Sequence, residues 1–406
     1  MTGFPLAGIR VADFGQGIAG PYCAQLLGDH GAEVIKIEPP RGDWSRTMGA
    51  QDGSGYSGSF ISVNRNKRGI CLDLKQQSAR DIARALAVRA DVVIESFRPG
   101  VMARLGLGYD ALRSENPRLV YCDVTGFGSA GPNVDLPASD SVMQPYGGLM
   151  SINGELGGDP LRIGNVVSDM VAGANAFSGV LLSLISRGAT GEGRRVSVSL
   201  LDSIVAFQAS PISEYLWTGT PPRRLGNDHP MTTPSGVFHT ADGAISLTVM
   251  DHMWPAFCAG LGVAPLAGDP RFATTGARQQ HRDELRAALA PVFRGRKSAE
   301  WIEALRAMDV LCSPINDYPA LKTDPQVVHN ELLQSVVDAS GVRMPMLRNP
   351  VRLEGEPARL AAPPRLGEHS RGVLAAELGY PAALIEQCIA NRAMICTAPN
   401  DGGEPG

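Results

Sequence analysis

Ile9-Arg10-Val11-Ala12-Asp13-Phe14, then Gly15-Gln16-Gly17-Ile18-Ala19-Gly20-Pro21, then a helical run, then Val34-Ile35-Lys36-Ile37-Glu38 and the turn Pro39-Pro40-Arg41-Gly42-Asp43 is the stretch on which the fold turns. Two β-rich runs flank a glycine turn and a helix, which is the pattern of a βαβ unit. Gly15, Gly17 and Gly20 stand as G-x-G-x-x-G, with an acidic residue, Glu38, about twenty positions on, so the stretch proposes a dinucleotide site. The same atoms also suit another adenine nucleotide, coenzyme A, or no ligand at all.

A second copy of the motif lowers its specificity. Gly126-Phe127-Gly128-Ser129-Ala130-Gly131-Pro132 follows the strand-like run Pro117 to Val124, yet no helical pattern comes after it and Pro137 interrupts any attempt at one. A glycine-rich loop in this chain therefore has a purpose other than nicotinamide binding, and the first loop can share it.

The chain has 406 residues, 44% apolar and 19% charged, with a formal net charge of −4. That length favours more than one domain, and that composition a large core. With no basic excess, nucleic acid is not an expected partner. There is no run of eighteen apolar residues and no signal pattern ahead of Ile9, so a cytoplasmic protein with no membrane partner is expected. The seven cysteines form no C-x-x-C pair and the seven histidines no H-x-x-x-H spacing, so neither a disulfide framework nor a protein-built metal site is indicated. Cys23 reads as a small buried hydrophobe.

Along the chain, Gly49 to Ser59 reads as a loop. Asn64-Arg65-Asn66-Lys67-Arg68-Gly69 is the densest cationic cluster, read on charge alone as a solvated turn and, second, as a phosphate clamp. A strand end at Ile70 to Lys75, a helix at 78–89 and a buried strand at Asp91 to Glu95 complete another βαβ step. Ser96-Phe97-Arg98-Pro99-Gly100 then leaves the C-terminal end of that strand, where open α/β sheets place ligands, with Arg98 and Arg104 flanking it. A helix from near Ser168 to near Arg187 carries small residues in its first half and Asp169 in its first turn. Taken alone, Asp169 is a dipole-favoured N-terminal residue. A strand at Val196 to Ser199 and a single helix at 200–216 follow, then a boundary at Gly219 to Arg224. Beyond it stands a hairpin turning at Asp242-Gly243, with two helices and a strand to about Pro314. The acidic, glycine-rich C-terminal end is expected to be disordered.

These phrases together resemble the family III CoA-transferases, the group that includes the carnitine-CoA and formyl-CoA transferases and the α-methylacyl-CoA racemases. The likeness rests on Leu26-Leu27-Gly28-Asp29-His30-Gly31-Ala32-Glu33 through Glu38, Gly42-Asp43, Asn66-Lys67-Arg68, Leu72-Asp73-Leu74, Phe97-Arg98-Pro99-Gly100, Thr125-Gly126-Phe127-Gly128, Gly226-Asn227-Asp228-His229-Pro230 and Leu366-Gly367-Glu368-His369. It runs from about Leu6 to Ile395.

The resemblance implies an α/β fold: a Rossmann-like large domain with a parallel sheet plus a smaller α+β domain, in an interlocked, ring-like homodimer. Residues 1–218 would form the N-terminal part of the CoA-binding domain, 219–330 the small domain with its linkers, and 331–406 the return segment and C-terminal helices. It implies that Asp169 is the catalytic carboxylate, forming a mixed anhydride and then an aspartyl-CoA thioester. CoA contacts are implied at Leu72, Asp73, Leu74, Lys75, Ser96, Phe97, Arg98 and Arg104. No cofactor would be permanently bound, since CoA and its thioesters are substrates, and the partners would be an acyl-CoA and a small carboxylic acid.

Departures from the pattern narrow the reading. Ile18 and Pro39 replace polar or basic adenine-side contacts of some formyl-CoA transferases, and the tetraglycine lid is missing around Leu225 to Pro234, so oxalate is not the expected acceptor. The racemases place a histidine directly before the aspartate matching Asp140, where this chain has Ser139, so transfer is favoured over two-base racemisation. Ser139, Asp140, Tyr146, Gly147 and Gly148, with Met150 nearby, are candidates for an acyl pocket of small to medium size. An acyl-CoA racemase, a non-catalytic acyl-CoA-binding protein and an NAD-dependent oxidoreductase remain the rival readings.

Overall fold

The computed structural model describes residues 3–51 and 53–396, so the expected disorder of the C-terminal end lies outside the described residues. Two compact units form. The larger is drawn from the segment up to Leu149, from Ile163–Glu214 and from Val328 onward; the smaller comprises Met150–Arg162 and Tyr215–Val327.

The larger unit opens with β1 (Arg10–Asp13), α1 (Ala19–Asp29), β2 (Glu33–Glu38), α2 (Gly58–Asn64), β3 (Lys67–Leu72), α3 (Gln77–Arg89), β4 (Val92–Glu95) and β5 (Val120–Thr125). It continues with α4 (Asp140–Tyr146), α5 (Val167–Thr190), β6 (Arg195–Ser199), α6 (Leu200–Phe207) and α7 (Ala209–Thr218), the last reaching the unit boundary. β1 to β6 pair in parallel in the order β3-β2-β1-β4-β5-β6. The chain thus works outward from β1 to β3, then returns across β1 to lay down β4. Loops after β1 and β4 part at that reversal and leave a crevice at the C-terminal strand ends, where such sheets bind ligands. The inner strands β1, β2, β4 and β5 are short and almost wholly buried, as parallel strands sandwiched by helices must be, while the edge strand β6 is partly exposed.

Several sequence expectations need correction. The strand expected to end the 64–75 segment begins earlier, at Lys67, so Lys67 lies inside the sheet rather than in a solvated turn. The helix expected over 200–216 is two helices broken at Gln208; Pro211 has no N–H to offer the carbonyl of Phe207, which weakens the ladder there. The helix α2, capped by the Ser57 hydroxyl, starts at the end of the stretch read as a loop. By length and composition α5 could cross a membrane. In this fold it packs on α1, β5 and β6, and Gly191 in left-handed conformation ends it.

The smaller unit has a three-stranded antiparallel sheet of β7 (Ser235–His239), β8 (Ala244–Thr248) and β9 (Leu311–Pro314), with α8 (Trp254–Gly260), α9 (Thr275–Gln280), α10 (Arg282–Phe293) and α11 (Ser298–Ala307) inserted before β9. Four helices, not two, stand between the hairpin and the last strand. Trp254, Phe257, Phe293 and Trp301 form its core. Arg278, fully buried, stacks on Trp254 and donates to the carbonyls of Thr233 and Phe272.

The chain then returns to the larger unit. A hairpin of β10 (Leu333–Val337) and β11 (Arg343–Leu347) packs Met344 and Met346 on Tyr56 and Phe60. Helices α12 (Ser370–Leu378) and α13 (Ala382–Ala390) bury Val373, Leu374 and Ile385 in the same apolar cluster as Ile70 and Leu86, and β12 (Met394–Ile395) adds an antiparallel edge to β3.

Candidate active site

Two cavities of the larger unit open near the strand-order reversal. The first, of about 640 Å³, has apolar walls from Phe14, Ile37, Phe97 and Leu105 and a rim bearing Arg41, Lys75 and Arg80. Arg80 is committed, donating to the carbonyls of Leu74 and Lys75. Arg41 and Lys75 are exposed, and among the described residues neither forms an ion pair with a carboxylate. Apolar walls with free cations at the mouth suit a flat heterocycle carrying phosphates.

The second cavity, of about 250 Å³, is bounded by the loops after β1, β4 and β5. Gln16, Ser96, Arg98, Thr125 and Ser139 give it a thin polar lining; Trp44, Phe127, Leu136 and Leu200 make the rest apolar, and Asp169 sits in its wall. Among its described lining residues Asp169 is the one carboxylate, and there is no histidine.

Asp169 owes its place to two helix starts. It lies in the first turn of α5, and Ala19, the first residue of α1 and so with an N–H that has no intrahelical partner, lines the same cavity wall, where that N–H favours the ionised carboxylate. The helices can meet this closely because Gly173 has no side chain: a Cβ there would stand 2.7 Å from the Ala19 carbonyl oxygen and 2.9 Å from the Tyr22 ring. From α4, the buried Asp140 fixes the start of α5. One of its oxygens accepts from the Ser168 N–H at 2.9 Å and the Ser168 hydroxyl at 2.8 Å, and the other accepts from Gln144 at 2.8 Å. Burial, then the nearby charge of Asp140, pushes the Asp169 carboxyl up to about 7, against the opposing pull of the Ala19 N–H. The result is a desolvated carboxylate that ionises near neutral pH beside an open cavity, which is chemically a nucleophile or a base.

The sequence candidates distribute as follows. Asp73, Leu74 and Lys75 line the first cavity, Ser96 and Arg98 the second, and Phe97 both. Leu72 is buried in β3, and Arg104 is exposed and lines neither cavity. Of the acyl-pocket candidates, Ser139 lines the second cavity while Asp140 is buried beneath Ser168. Tyr146 packs edge-on against Phe127 and accepts from Asn133 through its hydroxyl, and neither it nor Gly147 or Gly148 reaches the lining. Met150 belongs to the smaller unit. The 64–69 cluster is neither a solvated turn nor a phosphate clamp. Arg65 forks onto Asp29, Lys67 is buried against Asp13, and Arg68 pairs with Glu377. The cations that do face a cavity include Arg41 and Arg80, unmarked in the sequence reading; the Pro-Pro-Arg-Gly turn at the end of β2 was the available signal for Arg41.

Comparison with known proteins decides among the readings. The profile of CoA-transferase family III matches residues 6–370. The chain belongs to CoA-transferase family III. It is 38% identical over 380 residues to a succinate–glutarate CoA-transferase of Agrobacterium fabrum, covering 91% of this chain and 95% of that one. With an acetyl-CoA:oxalate CoA-transferase of Acetobacter aceti it shares 36% identity over 384 residues, 93% of this chain and 97% of the other. A crystal structure of a CaiB/BaiF family protein from Brucella suis superposes with a TM-score of 0.83 at 34% identity, covering 91% of this chain and 98% of that one. The protein is thus an enzyme that transfers CoA, and the nicotinamide reading of the glycine turn is set aside.

Proposed function

We propose that the enzyme moves CoA between carboxylic acids through a covalent intermediate on Asp169. The observation that carries this is the partly desolvated carboxylate facing a cavity in which, among the described lining residues, there is no second carboxylate and no histidine. The donor's thioester carbonyl is attacked by Asp169, giving a mixed anhydride and CoA thiolate. The thiolate attacks the aspartyl carbonyl, releasing the donor acid and leaving an aspartyl-CoA thioester. An acceptor carboxylate attacks that thioester, and the thiolate then takes the acceptor's acyl group, returning Asp169 to its carboxylate form. A two-base racemisation would need a titratable group across the cavity, and Ser139, hydrogen-bonded to Ser141, is not one.

On this reading the first cavity holds the adenosine end of CoA on a Rossmann-like sheet, with Asp73 to Lys75, Arg41 and the 96–98 loop along the path to Asp169. Replacing Arg41 or Lys75 by alanine is expected to raise KM for the acyl-CoA about tenfold each, with kcat unchanged, as loss of a charge-assisted phosphate contact should. Steady-state kinetics check this. The relatives named for succinate, glutarate and oxalate support small acids as donor and acceptor, and a cavity of about 250 Å³ suits a short acyl chain. A screen of CoA thioesters against mono- and dicarboxylates, read by mass spectrometry, identifies the pair.

Because Asp169 must be ionised to attack and its carboxyl is raised to about 7, kcat/KM should rise with pH and level off above about 7. Asp140→Asn removes a charge that holds the proton on, so its acid limb should move to lower pH. The pH–rate profiles of both proteins test the sign.

The enzyme works as a homodimer on this reading. Leu182 and Ile185 on α5 are 68% and 73% exposed, Phe207 is 52% exposed, and α7 has no buried residue, so apolar helix surface is left for a second copy to cover. Sedimentation should show a dimer at micromolar concentration and a monomer for Leu182→Glu/Ile185→Glu; a monomeric parent protein would contradict this. A cytoplasmic location accords with the free state of the seven cysteines.

A further inference from the structure

The glycine turn that leads into Ala19, which lines the same cavity as Asp169, is held from below by buried charges. Lys36 of β2 donates to the Gly15 carbonyl at 2.9 Å and to Asp43 at 2.8 Å. The other oxygen of Asp43 accepts from the N–H of Gly17 at 2.9 Å and from the N–H and hydroxyl of Ser45. Glu38 accepts from the N–H of Asp43 and is itself gripped by Arg46 through two bonds of 2.7 Å. On the other flank Lys67 of β3 spends three donors, on Asp13 at 2.8 Å, the Pro21 carbonyl at 2.8 Å and Asn64 at 2.9 Å, while Asp13 accepts from the Gly15 N–H at 2.9 Å. Ser96 exchanges hydrogen bonds with both the N–H and the carbonyl of Gln16. Every backbone polar group from the Gly15 N–H to the Gly17 N–H is therefore pinned by a side chain. The turn has little room to vary, since Gly17 has φ +79 and a Cβ there would lie 2.1 Å from the Trp44 ring.

Stability alone does not account for this arrangement, because a buried ion pair is often no more stabilising than an apolar pair of the same shape. We propose that Lys36–Asp43 and Lys67–Asp13 are positioning residues for the transfer reaction, locking the 15–21 turn so that the start of α1 at Ala19 stays beside Asp169 in the cavity wall. The inference rests on Asp169 being the nucleophile. It concerns how that nucleophile is held, and a misplacement of about 1 Å can cost on the order of 100-fold in rate.

The test is the double variant Lys36→Met/Asp43→Asn, which removes both charges of one pair yet keeps an oxygen facing the Gly17 N–H. The full-length enzyme is assayed for folding by circular dichroism, for kcat and KM with acyl-CoA, and for the pH profile, with Asp169→Asn alongside. The expected result is a folded protein with kcat down about 10- to 100-fold, KM for the acyl-CoA within about twofold, and an acid limb moved to higher pH. That direction follows because the Ala19 N–H favours the ionised carboxylate while Asp140 is unchanged. A lowered melting temperature with unchanged kcat and acid limb would overturn the proposal and leave the charges a purely structural role. Full activity in Asp169→Asn would instead remove the nucleophile reading beneath it. Should the double variant not fold, Asp43→Asn alone reports the same kcat and pH shifts, and their absence there overturns the proposal equally.

Discussion

Asp169→Asn is expected to lower CoA transfer by about 10⁴-fold or more, the range seen when a covalent nucleophile is replaced. KM for the acyl-CoA should change little, because the contacts that would hold the nucleotide are in the other cavity. The same substitution should make the protein more stable, in a pH-dependent way. The folded-state carboxyl, raised to about 7 against about 4 in an unfolded chain, keeps its proton where the unfolded chain has lost it. Stability of the parent protein therefore falls as pH rises from about 4 to about 7, and asparagine, which cannot ionise, escapes that loss. The melting temperatures of the two proteins should be close near pH 4 and diverge in favour of the variant up to about pH 7. Loss of activity with a gain in stability is the mark of a residue placed for chemistry; loss of both would indicate a collapsed site.

Lys67→Met should be the most destabilising single change in the sheet, at about 3–5 kcal/mol, because it leaves the Asp13 carboxylate buried without its partner. Burial pushes the Lys67 ammonium down to about 8, and the charge of Asp13 opposes that shift, so Lys67 carries its charge at neutral pH. The neighbouring Arg68→Met removes a cation whose side chain is 34% exposed, and should cost no more than about 1 kcal/mol. Urea unfolding of the two variants side by side measures the contrast. Equal, small effects would mean that the Lys67 pair contributes no more than a surface ion pair.

That contrast also shows where the sequence stops being legible. The parallel strands and the helices α1, α3 and α5 could be read because buried parallel strands and apolar helix faces follow from local pattern, as at Val92 to Glu95 and along α5, whereas α2 and α4 were not. Lys67 and Arg68 are adjacent and chemically alike, yet one ends in the sheet interior and the other at the surface. What separates them is Asp13, 54 positions earlier, which no local pattern links to Lys67. Asp140 is a similar case: its position beside Ser139 suggested an acyl pocket, while the structure turns it onto Ser168, 28 residues on. Asp169 carried the local signature of an ordinary helix start. Only the meeting of two helix starts, allowed by Gly173, makes it a desolvated carboxylate on a cavity wall. The break at Gln208 could have been foreseen from Pro211, and Arg41 from its turn; the hairpin of β10 and β11, with Met344 and Met346 alternating with Arg343 and Pro345, was also within reach.

The covalent account is tested most directly by mass spectrometry of the enzyme incubated with succinyl-CoA in the absence of an acceptor acid. After quenching and digestion, the peptide containing Asp169 should carry CoA less one water as a thioester, convertible to a hydroxamate by hydroxylamine and absent from Asp169→Asn. An enzyme that turns over with acceptor present, yet whose Asp169 peptide stays unmodified under these conditions, would contradict it.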